Sequence, residues 1–303
     1  MFHSTAWLAV LFVVLWNSGF IGAEYVLRDA GPFTQLFWRY LALAFILLTY
    51  LAVRRRLRWP GWSTAGPEAF IGVLAHGVWL ACVLVSIARG VPAGIVALVV
   101  ALQPLAVGAL SGVVVGEHTL GLRWLGLALG FAGVALVVLR RVDFADTASL
   151  TGYFIPLGAV ASMTAAALMR RRMEVNARLP RLPLDLALLY QALGSALVLV
   201  VPAILAEGLA TRWTVGFLAS MAWLVLAVSL GAYALMFELL GRMGATRMSA
   251  LFYLGPPVTM VMAWAAFDDV LQPLDFAGLV IVCLGVMVVH RRRPREAPTA
   301  DVS

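Results

Sequence analysis

The feature that most restricts this chain is its division into about ten uninterrupted apolar runs. They lie near Trp7–Val26, Phe33–Val53, Ala69–Ala88, Ala93–Val115, Leu122–Leu139, Gly152–Met169, Leu184–Ala206, Val215–Leu240, Ala245–Phe267 and Leu274–His290. Each is about 20 residues long, the length at which a helix crosses a hydrocarbon core of roughly 30 Å. They do not alternate and are too long for the ~10-residue strands of a membrane barrel. A backbone in lipid must satisfy its own hydrogen bonds, so the runs are expected to be helices. Composition agrees: 63% of residues are hydrophobic and 12% charged, about half the charged share of a soluble domain. The expected fold is an all-α membrane protein of ten transmembrane helices.

The joints are short, as in Asp29-Ala30-Gly31-Pro32, Arg89-Gly90-Val91-Pro92 and Asp268-Asp269, so consecutive helices should be antiparallel neighbours. The net charge of +7 comes from arginine alone, since the chain has no lysine. Most arginines cluster between apolar runs, which is the pattern of cytoplasmic loops and not of a nucleic-acid surface. With a cytoplasmic N-terminus and ten crossings, the cytoplasmic side receives sixteen arginines. Among them are Arg54, Arg55, Arg56, Arg58, Arg170, Arg171, Arg172, Arg178, Arg181, Arg242, Arg247 and the group from Arg291 to Arg295. The opposite side receives five, Arg28, Arg89, Arg140, Arg141 and Arg212, and Arg39 lies inside a span. Both termini are therefore expected in the cytoplasm, with the Arg140-Arg141 pair out of pattern. The first run has neither a basic residue before it nor a small-residue cleavage site after it, so it is expected to remain as the first helix. Cys82 and Cys283 fall within runs and read as small buried hydrophobes. Residues 291–303 are polar and are expected to form a disordered tail.

A shift of 152 residues aligns the two halves without a gap. Pro104 meets Pro256, Glu117 meets Asp269, Gly126 meets Gly278, Gly133 meets Gly285, and Arg140-Arg141 meets Arg292-Arg293. The chain thus divides into two units of five spans, residues 1–145 and 146–290. Five is odd, so the second unit should insert upside down. An inverted repeat around a midplane site is a recurrent plan of secondary transporters.

Several short motifs now fall in order. They are Leu15-Trp16-Asn17-Ser18-Gly19-Phe20, Gly31-Pro32, Arg39-Tyr40, Gln103-Pro104, Gly116-Glu117, Gly255-Pro256 and the paired glycines Gly126/Gly133 and Gly278/Gly285. With them the chain resembles the EamA-type transporters of the drug/metabolite transporter superfamily over nearly its whole length. The resemblance implies ten-helix exporters of metabolites, amino acids or drugs in a bacterial inner membrane, either proton-linked or facilitative. The halves differ, because the second lacks the Trp-x-Ser-Gly-Phe-like opening and Arg39 has no basic counterpart.

Polar residues inside spans are costly and mark candidate paths. Arg39 reads either as a carboxylate or gating contact for substrate, or as a partner of Glu24 that snorkels outward. His76 and Trp79 share a helix face one turn apart. His76 reads as a cavity residue able to hydrogen-bond or carry a proton, or as a neutral histidine bonded to a neighbouring helix. Proline kinks at Gln103-Pro104 and Gly255-Pro256 free backbone carbonyls, so the fourth and ninth helices are expected to line the path, with Gln103 and Tyr253 near it. Trp16, Asn17, Tyr190 and Tyr233 complete the candidate substrate contacts, each with a helix-packing alternative. Gln191 is a further polar candidate, and Glu238 is expected to pair with Arg242. Glu117 and Asp269 are expected to cap the helices after them. The paired glycines read as close helix contacts or a dimer surface. Trp59, Trp62, Trp124 and Trp213 read as interfacial anchors. Trp16, Trp38, Trp79, Trp223 and Trp264 are deeper and could wall an aromatic cavity.

No phosphate-binding loop of the G-x-x-x-x-G-K-[ST] type exists, and a chain without lysine cannot contain one. No metal motif appears, and no cofactor, nucleic acid or ATPase subunit is expected. An intramembrane enzyme would need a cluster of carboxylates or histidines at one depth, and only His76 is deep. The reading is a secondary transporter of small metabolites working by alternating access. Amino acids, including aromatic or other hydrophobic ones, are the expected substrates, and drugs or nucleotide-like metabolites the alternative. The expected partners are the solute, the bilayer and, if transport is coupled, protons.

Overall fold

The computed structural model describes residues 5–115, 121–142, 145–175 and 182–290. Among these the chain is helical, with no β-strand and one isolated bridge between Ala30 and Thr211. The elements are α1 (Thr5–Leu27), α2 (Pro32–Val53), α3 (Trp62–Ala88) and α4 (Ala93–Val100 continued by Gln103–Val115). They continue with α5 (Gly121–Arg141), α6 (Thr147–Val175), α7 (Leu184–Leu205) and α8 (Val215–Met243). The last two are α9 (Ala250–Phe267) and α10 (Pro273–His290). Among the described residues, nine of them are long and apolar enough to cross a membrane, and α10 offers a shorter apolar stretch, Pro273–Met287.

Both expected kinks are present. α4 breaks at residues 101–102, just before Gln103-Pro104, and the backbone of α9 breaks at residues 253–254, just before Gly255-Pro256. The two breaks are 152 residues apart. The sequence placed a joint between Leu240 and Ala245, but the backbone stays helical from Tyr233 to Phe252. No proline interrupts that stretch, and glycine alone only weakens a helix.

Helices pair across the two halves of the chain. α2 packs on α7, α4 on α9, and α5 on α10, while α1 packs on α8 and α3 on α6. The ion pairs Arg56–Asp185, Arg141–Asp275, Arg170–Glu68, Arg212–Asp29 and Arg242–Glu238 each join residues that ten alternating crossings place at one face. Arg141 belongs to the pair that stood out of the expected arginine pattern. It binds the buried Asp275 through two guanidinium nitrogens and donates to the Val270 carbonyl, so much of its charge is compensated locally.

Helix ends are satisfied by residues the sequence did not announce. α2 begins at Pro32, whose missing N–H is no loss at a first helical position. The next two backbone amides, of Phe33 and Thr34, donate to the Glu207 carboxylate at 3.1 and 2.7 Å. A negative group is favoured at a helix N-terminus. Gly31 leaves room for that carboxylate, which a Cβ there would overlap. The cap expected of Asp269 is instead made by Asp275, which accepts from the Gln272 amide at 2.8 Å. Asp268 closes α9 in a left-handed conformation, φ 57°, and one Asp269 carboxylate oxygen is buried without a partner. Burial raises the Asp269 carboxyl above its usual range, and Arg141 opposes that shift. Glu117, Arg178, Arg181 and residues 291–303 lie outside the described residues.

The paired glycines serve contact within the chain. A Cβ on Gly278 would lie 2.7 Å from the Gly133 carbonyl oxygen, and one on Gly285 would lie 2.6 Å from that of Gly126. Small residues let membrane helices approach closely enough for dispersion to hold them. Backbone oxygens cannot move aside, so Gly285→Val should force α5 and α10 apart. A loss of about 1–3 kcal/mol is expected, read as a lowered unfolding temperature in detergent, whereas Val280→Ala on the exposed side of α10 should leave it nearly unchanged.

Candidate functional site

The principal cavity lies between α1, α2, α3, α7 and α8. Its envelope is about 710 Å³ including the open mouth. Its wall is mostly apolar, with Phe20, Leu43, Val83, Leu188 and Val228 among the lining residues. The polar groups on it are few: Arg39, Tyr40, His76, Ser229, Tyr233 and the indole of Trp79.

Two π-helical segments shape this wall. One is Val73–Val78 within α3, which carries His76, and the other is Trp223–Ala232 within α8, which carries Ser229. The 152-residue shift carries the first onto 225–230, inside the second. A π-turn adds a residue to the helix and re-aims the side chains around it, and such turns are frequent at functional sites. α3 and α7 approach through glycine: Gly72 backs onto the Gln191 main chain, and a Cβ on Gly194 would lie 2.6 Å from the Ala69 carbonyl oxygen. That contact sets Gln191 beside both Glu68 and His76.

Arg39 is 6% exposed. Its Nε and one terminal nitrogen donate to Ser229 Oγ at 3.1 and 2.9 Å. No carboxylate lies in salt-bridge reach of it among the described residues, so the expected pair with Glu24 is not formed. Glu24 instead leaves one carboxylate oxygen buried without a partner. A guanidinium has five N–H donors, and Ser229 occupies two of them.

His76 ends a polar chain. Its Nε2 lies 3.0 Å from Gln191 Oε1. Gln191 Nε2 donates to Glu68 Oε2 at 3.0 Å, and Glu68 accepts two bonds from Arg170 at 2.6 and 2.7 Å. On the other side of the ring, Nδ1 is 3.4 Å from the Tyr233 hydroxyl. The rings of Tyr40 and Tyr233 flank the imidazole at 5.7 and 5.9 Å, and Trp16 sits 5.4 Å from Tyr233.

Of the nine residues singled out from sequence, Trp16, Arg39, His76, Trp79 and Tyr233 share this wall. The other four do not. Asn17 points away, donating to the Val13 carbonyl and accepting from Thr259 of α9. Tyr190 reaches the Arg58 carbonyl and the Trp59 ring. Gln103 and Tyr253 sit at the kinks of α4 and α9, and neither kink reaches the principal cavity. The reason is that residues 93–102 of α4 are almost wholly apolar and buried in the middle of the bundle, as a helix hydrophobic all round must be. α4 and α9 border a smaller void that includes Gly94, Met260 and Asp269. Among the deeper tryptophans, Trp223 and Trp264 are exposed on the outside and Trp38 packs on Trp213. The residues missed from sequence are Tyr40, Ser229 and Glu68. Only Glu68, a carboxylate at the start of an apolar run, carried a signal that could have been used.

The EamA-like transporter family model matches residues 3–139 and again residues 150–291. The chain belongs to the EamA-like transporter family. It is 25% identical over 291 residues to a probable amino-acid metabolite efflux pump of Escherichia coli strain K12, covering 93% of each chain. It is 27% identical to a probable terminal-alkyne amino-acid exporter of Streptantibioticus cattleyicolor, covering 97% of this chain and 96% of that one. An uncharacterized inner membrane transporter of E. coli K12 is 23% identical over 278 residues, covering 91% of this chain and 87% of that one. A crystal structure with 17% identity superposes with a TM-score of 0.63, covering 94% of this chain and 97% of that chain; it shows the fold. This EamA-family protein is thus a multi-pass membrane transporter and not an enzyme.

The side chain of Glu68 is only 4% exposed and is balanced by Arg170, whose side chain is partly exposed. Removing the cation should leave a buried charge at a cost of about 3 kcal/mol. Arg170→Met is therefore expected to lower the unfolding temperature, and the double variant Glu68→Gln/Arg170→Met to recover most of the loss. A double variant no more stable than Arg170→Met would show that the pair contributes nothing beyond its parts.

Proposed function

We propose that this EamA-family transporter moves small amino acids or their close derivatives by alternating access, driven by existing gradients. The observation that carries this reading is Arg39. A buried guanidinium that has no carboxylate partner among the described residues, on the wall of an apolar cavity, suits a carboxylate brought by the substrate. Such a contact is bidentate and charge-assisted, while the aromatic and aliphatic wall suits a hydrophobic side chain. Trp79 Nε1, buried without a partner, supplies a further donor. The two relatives whose names refer to amino acids are in keeping with this reading.

The mechanism rests on the two-part construction. The 152-residue shift, the double family match, the reciprocal helix pairing and the two π-turns support two halves of opposite insertion around one site. Rocking of one half against the other would open that site to each side in turn. The distribution of arginine supports cytoplasmic termini, and export is the direction in keeping with the relatives. A single cysteine in place of Arg55 should then react with an impermeant maleimide only from the cytoplasmic side. Labelling from the outside of intact cells would reverse the orientation.

Counterflow of radiolabelled amino acids in proteoliposomes tests the substrate. Uptake of at least one hydrophobic amino acid is expected, lost about tenfold or more in Arg39→Gln and partly kept in Arg39→Lys, which retains the charge but not the fork. An amine lacking the carboxylate that moves as fast as the parent amino acid would overturn the role of Arg39. A rate that changes under an imposed pH gradient would assign proton coupling, and an unchanged rate facilitated transport.

A further inference from the structure

The hydrogen-bond chain behind His76 fixes more than the position of the ring. It begins at the buried Glu68 carboxylate, which accepts two bonds from Arg170 at 2.6 and 2.7 Å and serves as an acceptor. Facing a carboxylate, the Gln191 amide must present its N–H side, since its oxygen there would set two acceptors against each other. Gln191 Nε2 accordingly donates to Glu68 at 3.0 Å, and its Oε1 is turned to His76. An acceptor 3.0 Å from Nε2 requires the proton on Nε2. The neutral imidazole then has a bare Nδ1, because one nitrogen donates and the other accepts. The Tyr233 hydroxyl makes only a long hydrogen bond to that nitrogen, at 3.4 Å, and a charged donor entering the cavity would displace it.

We infer that His76 Nδ1 is the acceptor for the ammonium group of a zwitterionic amino acid, set in that role by the chain Arg170–Glu68–Gln191. The surroundings fit a cation: the Tyr40 and Tyr233 rings flank the imidazole at 5.7 and 5.9 Å, and aromatic faces attract cations. Arg39, next in sequence to Tyr40, lines the same cavity; the substrate carboxylate is assigned to its guanidinium and the substrate amine to the imidazole. Glu68 and Gln191 are positioning residues, acting through His76. The charged and titratable groups around the imidazole are Arg39 and Tyr40 of α2, Tyr233 of α8, and Glu68 of α3 with Arg170 of α6. This inference rests on the amino-acid reading and narrows it to substrates with a free amine.

Two measurements on the full-length reconstituted protein test it. The first is the ¹⁵N spectrum of the His76 imidazole, assigned by loss of its signals in His76→Ala. The Nε2-protonated tautomer should dominate in the parent, and Glu68→Gln, whose carboxamide can present either face to Gln191, should populate the Nδ1-protonated form. The second is competition against amino-acid counterflow by a matched pair, an α-amino acid and the α-hydroxy acid of the same side chain. The amino acid should compete about tenfold better or more in the parent, with the preference reduced to within about threefold in His76→Ala and to an intermediate value in Glu68→Gln. Equal competition by the two acids in the parent, or an Nδ1-protonated ring there, would overturn the inference while leaving Arg39 and amino-acid transport standing. Absence of any amino-acid flux in the parent would overturn the proposed function and this inference with it.

Discussion

Lipid cannot hydrogen-bond, and the whole arrangement depends on that constraint. It makes each span a helix, and it makes every polar side chain away from the ends a cost that some partner must offset. Among the described residues several charges are settled near helix ends by local pairing, as in Arg141 with Asp275, Arg170 with Glu68 and Glu207 with the first amides of α2. Arg39 is not settled in that way. A serine hydroxyl accepts two of its N–H groups but does not neutralise it. A charge at the centre of a span costs about 2.5–3.5 kcal/mol on insertion scales, and a hydrated or anion-receiving cavity reduces the cost of one placed inside a span. Position and partner together make the principal cavity the place where the protein's chemistry is concentrated.

The membrane fold was legible because its signal is long. A 20-residue apolar run leaves few choices, and the kinks at Gln103-Pro104 and Gly255-Pro256 were visible because proline cannot continue the ladder. The site was legible only where a costly residue stood alone in a run, as with Arg39 and His76. Their partners were not. Ser229 is an ordinary residue until α8 turns it toward α2, and Gln191 was noted without the Glu68 that orients it, since the two are 123 positions apart. The kinks of α4 and α9 stand away from the principal cavity for a different reason. A proline kink shows that a backbone departs from a straight helix but not what faces the departure, and in α4 the neighbours are apolar helices packed on every side. The pairing of Arg39 with Glu24 failed because proximity in sequence pattern says nothing of rotation about the helix axis.

The two halves use equivalent positions for different chemistry. The residue 152 positions after Arg39 is Gln191. Arg39 of α2 bonds Ser229 in the π-turn of α8, and Gln191 of α7 bonds His76 in the π-turn of α3. Each contact joins a helix of one half to the π-turn of the other, by the same route with the halves exchanged. One is cationic with donors to spare, and the other is neutral and ends on an acceptor. A cavity bounded by two identical contacts would have matched a symmetric ligand. The divergence at this pair of positions, with that of His76 against Val228, gives the cavity two unlike ends.

The π-turns explain how unlike ends can be reached without disturbing the packing outside. An added residue rotates the remainder of its helix by about 100° around the axis, so one face of α3 can present Gly72 to α7 while the next turn presents His76 and Trp79 to the cavity. In a regular helix the close glycine approach and the polar side chain would compete for the same stripe. The cost is a weakened hydrogen-bond ladder over Val73–Val78 and Trp223–Ala232. That weakness falls in two helices whose polar residues face the cavity, while the close glycine contacts between α5 and α10 lie away from it. On α3 the two meet, since the glycine contact with α7 at Gly72 lies directly before the π-turn that carries His76.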